Sequence, residues 1–123
     1  TPWHPAIPLP RAQNYFLRFK DRYNKNPDYH GAEAYAAAYV IKDALQRARS
    51  FAPHHIKQSL KETRLLTLLG PVRFTSYDNK INQNKLSAYV VQWQLSQLKL
   101  IWPGRFANAN YVYPVDWLSE WGY

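Results

Sequence analysis

The side chains able to do chemistry in this 123-residue chain are few and scattered. The histidines are His4, His30, His54 and His55. None has another ligand-type residue four positions away, the spacing that stacks two metal ligands on one helix face. Adjacent His54 and His55 would diverge by roughly 100° on a helix, so no zinc site is expected. The chain has no cysteine, which excludes thiolate metal sites, disulfides and a cysteine nucleophile. Its acidic residues show no paired-carboxylate pattern of the kind glycoside hydrolysis needs. None of Ser50, Ser59, Ser76, Ser87, Ser96 and Ser119 sits in a Gly-x-Ser-x-Gly elbow. Glycines occur only at 31, 70, 104 and 122, too few and too far apart for a dinucleotide fingerprint or a phosphate loop. An enzyme is therefore not expected, nor a metal or cofactor.

The aromatic residues are the positive signal. Five Trp, ten Tyr and five Phe exceed the needs of one small core. Such side chains suit ligand pockets, where a flat apolar body packs and an OH or NH orients. Tyr29 and His30 occupy a loop immediately before a predicted helix, where backbone N–H groups favour a carboxylate. The plainer alternative is that Tyr29 packs over the helix end and His30 is solvated. Trp3 lies in a proline-rich connector, as a second candidate or as an apolar anchor. Tyr111, Tyr113, Trp117 and Trp121 are expected to pack on a surface.

The elements that must position these residues follow from periodicity. Pro2, Pro5, Pro8 and Pro10 make residues 1–10 an extended connector. Ala12, Tyr15, Phe16, Phe19 and Tyr23 mark one apolar face of a helix, with Arg11, Arg18, Lys20, Asp21 and Arg22 mostly opposite. Asn24, Asn26 and Pro27 end it. A second helix carries the stripe Ala34, Ala37, Ala38, Ile41, Ala44, Leu45 and Ala48, with Arg47 and Arg49 complementing its dipole. Pro53 opens a third, shorter helix bearing Ile56 and Leu60. The run Leu65–Leu69 follows, closed by the breaker pair Gly70-Pro71. Val72 and Phe74 read as a short strand, residues 75–85 as a polar loop. Residues 89–94 and 98–102 alternate as a hairpin turning near Leu95-Ser96-Gln97, without the Asn-Gly such a turn favours.

The formal charge is +8, and residues 1–62 and 63–123 carry the same two-to-one ratio of basic to acidic groups. A dispersed excess reads as a solvated basic surface; nucleic-acid binding, which the charge and aromatics together would favour, is the weaker alternative. No apolar run approaches the roughly 20 residues that span a bilayer, and none reads as a secretory h-region. The length fits one domain or a piece of something larger. A start at Thr1-Pro2-Trp3, without Met, favours the piece.

Several landmarks stand in one order: Phe16-x-x-Phe19-x-x-x-Tyr23, Pro27-Asp28-Tyr29, Ala34-Tyr35-Ala36-Ala37, Ala44-Leu45-x-x-Ala48-x-Ser50, Leu69-Gly70-Pro71-Val72-Arg73-Phe74, Val90-Val91-Gln92-Trp93-Gln94, Ile101-Trp102-Pro103 and Tyr113-Pro114-x-x-Trp117. The chain thereby resembles the C-terminal part of the type I periplasmic solute-binding proteins of branched-chain amino-acid ABC transporters. That resemblance implies an α/β fragment of a two-lobed fold, here about three helices plus a C-terminal β-hairpin. Residues 1–28 would supply a second-lobe helix and connectors, 29–74 first-lobe helices, and 75–123 the return hairpin and aromatic tail. It further implies extracytoplasmic capture of an amino acid or small aromatic or carboxylic acid, with an ABC permease as partner of the full-length protein and no membrane insertion. Tyr29 and His30 match the loop that places an aromatic against the solute, and Trp3 lies close to a cleft-facing connector. A sensor domain of the same fold is the related alternative. Leu95-Ser96 departs from the Asp-Gly or Asn-Gly turn usual there, and the segments expected to hold the solute's carboxylate and ammonium groups lie upstream of Thr1. Self-association through unpaired sheet edges and the Ala-rich face is a further expectation.

Overall fold

Bulky rings on one helix and small residues on the next decide how this chain packs. The computed structural model describes residues 1–114. They form α1 (Ala12–Tyr23), α2 (Tyr29–Arg47), α3 (Pro53–Lys61), β1 (Arg64–Thr67), β2 (Gly70–Tyr77), β3 (Lys80–Asn84), β4 (Val90–Gln94), β5 (Gln97–Trp102) and a 3₁₀ turn at Gly104–Phe106. Trp117 and Trp121 lie outside the described residues. Three helices and two small antiparallel sheets, ordered β1-β2-β3 and β4-β5, make the expected α/β mix.

The main core joins Trp3, Ala12 and Tyr15 to Ala32 and Ala36 of α2 and to Leu68 and Leu69. Tyr15 meets Trp3 edge-on at 5.7 Å between ring centroids and Tyr35 at 4.7 Å. Rings of this size need small partners on the facing helix, because interiors are packed to crystal-like density. That requirement corrects the expected stripe of α2. Ala32, Ala36, Val40 and Ala44 are buried, whereas Ala34, Ala37, Ala38, Ile41 and Leu45 are exposed. Both sets recur at helical spacing on an alanine-rich helix, so period alone could not choose between them. Arg47 ties the far end of α2 to α3, donating to Asp43 Oδ2 at 2.7 Å, to the Ser59 carbonyl at 2.9 Å and to Thr63 Oγ1 at 3.2 Å.

The leucine run is not a helical tail, and Gly70-Pro71 is not a stop. Leu68 and Leu69 form a two-residue turn between β1 and β2, with Thr67 paired to Gly70 and Leu65 to Val72. The Thr67 hydroxyl donates to the Gly70 carbonyl at 2.9 Å and accepts from the Leu69 N–H at 3.2 Å. Gly70 sits at φ 111°, a conformation that L side chains rarely adopt, which is why glycine opens β2. The expected polar loop at 75–85 is also mostly sheet. β2 runs on to Tyr77, so residue 74 lies in mid-strand, and Asp78-Asn79 turn the chain into β3. β3 is exposed along almost its whole length, so it has no buried face to impose an alternation.

β4 and β5 pair as expected, Val91 opposite Leu100 and Trp93 opposite Leu98. Their turn is Leu95-Ser96, at φ 49° and 58°, the double positive-φ geometry of the tight hairpin turn. The connector at 1–10 is fastened rather than free. The Thr1 ammonium donates to the Tyr89 carbonyl at 2.9 Å, and the Tyr89 N–H donates back to the Thr1 carbonyl at 2.8 Å. His4 is buried, and its Nδ1 accepts from the Ala6 N–H at 3.2 Å. That leaves Nε2–H to donate to the Leu98 carbonyl at 3.0 Å.

Candidate functional site

Asp28 starts α2 by the ordinary capping device: its Oδ1 accepts from the Gly31 N–H at 2.8 Å. Tyr29 and His30 are thereby the first two residues of the helix, not members of a loop before it. Their rings lie against each other, 4.0 Å between centroids and 33° between planes. Tyr29 is 40% exposed, and His30 is exposed with Nδ1 3.9 Å from Asp28 Oδ2. This pair offers solvent an aromatic surface with a titratable edge. The carboxylate that the helix end would attract is in part already supplied by Asp28.

Trp3 takes a different position. It is 4% exposed, packed against Tyr15 in the core, and it holds the connector onto α1. Its indole Nε1–H is buried without a hydrogen-bond partner among the described residues. Such an orphan donor costs about 1–3 kcal/mol, which the packing of a large ring must offset. The three predicted residues are thus divided between a surface pair at the start of α2 and a buried anchor beneath α1.

Tyr15 connects the two places. Its hydroxyl reaches the first turn of α2, where a Cβ on residue 31 would stand only 2.7 Å away, so only glycine admits this approach. Burial, followed by the Asp28 charge, raises the Tyr15 pKa above the ordinary phenol value and keeps it protonated. Beside it, α1 and the first turns of α2 enclose a groove of about 340 Å³. Tyr15, Phe19 and Tyr35 make its floor, and Arg18 and Arg22 stand along its rim. Farther along α2, the Tyr35 and Tyr39 hydroxyls are 3.2 Å apart and Arg11 covers the Tyr39 ring at 4.5 Å. The hydrogen bond with Tyr35 and the nearby Arg11 charge lower the Tyr39 pKa. The sequence sets these arginines mostly opposite the apolar face of α1, and Arg11, Arg18 and Arg22 are indeed exposed. The available signal was Arg18 and Arg22 one turn apart, interleaved with Tyr15, Phe19 and Tyr23.

A wider depression of about 760 Å³ lies at the base of the second hairpin, between Tyr89, Trp102, Arg105 and Phe106. Among the described residues no group of three or more His, Asp or Glu is placed to hold a metal ion, and no helix is long and apolar enough to cross a membrane. In comparison with known proteins, residues 1–98 match a protein family described as "Periplasmic binding protein". No solved structure matches the chain.

Proposed function

The chain belongs to the periplasmic binding protein family, and from that premise we propose that it takes part in capturing an amino acid or a small aromatic or carboxylic acid for an ABC importer. Membership itself implies an extracytoplasmic, ligand-binding role in a family that is generally not enzymatic. The observation that carries the finer reading is the Asp28-capped turn. It presents Tyr29 and His30 as a stacked, solvent-facing pair at the start of a long helix, within the matched residues. An aromatic pair of this kind closes over the apolar part of a solute while the imidazole edge meets a polar group. Trp3 contributes by fixing the connector beneath α1. The reading includes a permease as partner of the full-length protein. It also includes self-association through the exposed Ala34, Ala38, Ile41 and Leu45 of α2.

Isothermal titration of the full-length protein against a panel of branched-chain and other amino acids, and one of aromatic acids, tests this. Micromolar or tighter binding to one class, weakened at least tenfold in Tyr29→Ala, is expected. Silence across both panels overturns it.

A further inference from the structure

We propose that the groove between α1 and the first turns of α2 is an aromatic-carboxylate site in its own right, with Arg18 and Arg22 holding the carboxylate and the ring lying on Tyr15, Phe19 and Tyr35. The site goes beyond the Tyr29–His30 reading, because it uses neither of those side chains as a contact.

The first support is charge. Arg18 and Arg22 are one turn apart on α1, both exposed at the groove's rim. The ion pairs among the described residues are Arg47–Asp43 and His30–Asp28, so neither groove arginine has a carboxylate partner there. Like charges four residues apart repel on a helix, and a carboxylate shared between two guanidinium forks relieves that repulsion. Asp28 opposes an incoming anion, but its Oδ1 is engaged in capping α2, and two arginines outweigh it.

The second support is the Tyr15 hydroxyl. Tyr15 is 7% exposed, lines the groove, and makes no hydrogen bond through its hydroxyl to any described residue. Its ring is packed in the core while its hydroxyl is open to the groove, where the protonated O–H can donate to an acceptor. The third is the floor. Tyr15 lies 5.8 Å from Phe19 and 4.7 Å from Tyr35 between ring centroids, a tilted aromatic surface that a small ion cannot use and a flat ring can. The volume, about 340 Å³, sits at the lower end of the roughly 300–1,000 Å³ typical of small-molecule sites.

The test titrates the full chain with benzoate, cyclohexanecarboxylate and sulfate, read by calorimetry and by the arginine Nε–Hε resonances. Benzoate should shift the Arg18 and Arg22 signals and bind severalfold tighter than cyclohexanecarboxylate. Arg18→Gln and Arg22→Gln should each weaken it by about tenfold, the scale of one lost charge-assisted bond. Tyr15→Phe should weaken it severalfold and leave the arginine shifts in place. Both arginines are exposed, so the variants should keep the wild-type melting profile. Sulfate binding as tightly as benzoate overturns the aromatic assignment. Benzoate binding that survives both arginine variants but is lost in Tyr29→Ala overturns the groove and leaves the solute-capture reading standing. No benzoate response at all overturns the groove, whatever the amino-acid panel gives.

Discussion

Two hairpins in this chain turn on residues that turns rarely use, and they meet opposite fates. The β1–β2 turn is Leu68-Leu69, with Leu68 only 1% exposed and both residues in the main core. The β4–β5 turn is Leu95-Ser96, with Leu95 81% exposed and both residues at positive φ. The first loop is stabilised by what it packs against, the second by the pairing of its strands. A leucine in a two-residue turn therefore reports nothing by itself; its surroundings decide whether it is an anchor or a strained cap. Each turn also has its own polar fastening. Thr67 closes the first from within, whereas the second is held from outside by His4 at Leu98.

The largest expected effect breaks the buried turn. Leu68→Ala should destabilise by about 2–5 kcal/mol in chemical denaturation, while Leu95→Ala should stay within about 0.5 kcal/mol. Equal losses at both positions would erase the distinction. Next, Thr67→Val should cost about 1–3 kcal/mol by leaving the Leu69 N–H without its acceptor, and Thr67→Ser should restore most of it.

The outside fastening should show in pH. Burial is the main cause that lowers the His4 pKa below 6.5, against the opposing hydrogen bond to Leu98. The unfolded chain then takes up a proton before the folded one does. Stability is full above about pH 6.5, falls as pH drops below it, and levels off once the folded-state pKa is passed. Thermal melts from pH 8 to 5 should show this loss, and His4→Gln should flatten that part of the profile. An unchanged profile in the variant would assign the pH dependence to other groups. The smallest effect sharpens the comparison from the other side. Leu95→Asn with Ser96→Gly should raise stability by about 1 kcal/mol, because those residues accept positive φ with little strain. The same pair at Leu68 and Leu69 should destabilise instead, since it would empty the core.

The C-terminal segment adds a third manner of fastening. Gln92 exchanges two hydrogen bonds with the Val112 backbone, both at 2.9 Å, and Gln94 donates to the Asn110 carbonyl at 2.7 Å. Two glutamine side chains thus treat residues 110–112 as a strand would. Gln92→Ala should speed amide exchange at Val112 and leave Leu100 unchanged.

The amino-acid sequence by itself determined the local elements whose signals are short-ranged. The aromatic spacing of α1, the Pro53 start of α3 and the hairpin of residues 89–94 and 98–102 all appear, the last as the pairing of β4 with β5 and not as a clean alternation of burial. The periplasmic binding protein family is legible as well, matched over residues 1–98, whereas the branched-chain amino-acid assignment is finer than that match. The tertiary structure decided what depends on partners distant in sequence. It chose Ala32 and Ala36 over Ala34 and Ala38 because the rings of α1 needed the smaller contact. It turned the leucine run into a buried hairpin because Leu68 and Leu69 had a core to fill. It drew Tyr29 and His30 into the helix because Asp28 caps it, and sealed Trp3 beneath Tyr15. It set Arg18 and Arg22 beside an aromatic floor that Tyr35 of another helix completes. Periodicity records which residues share a face, but only packing records what that face meets.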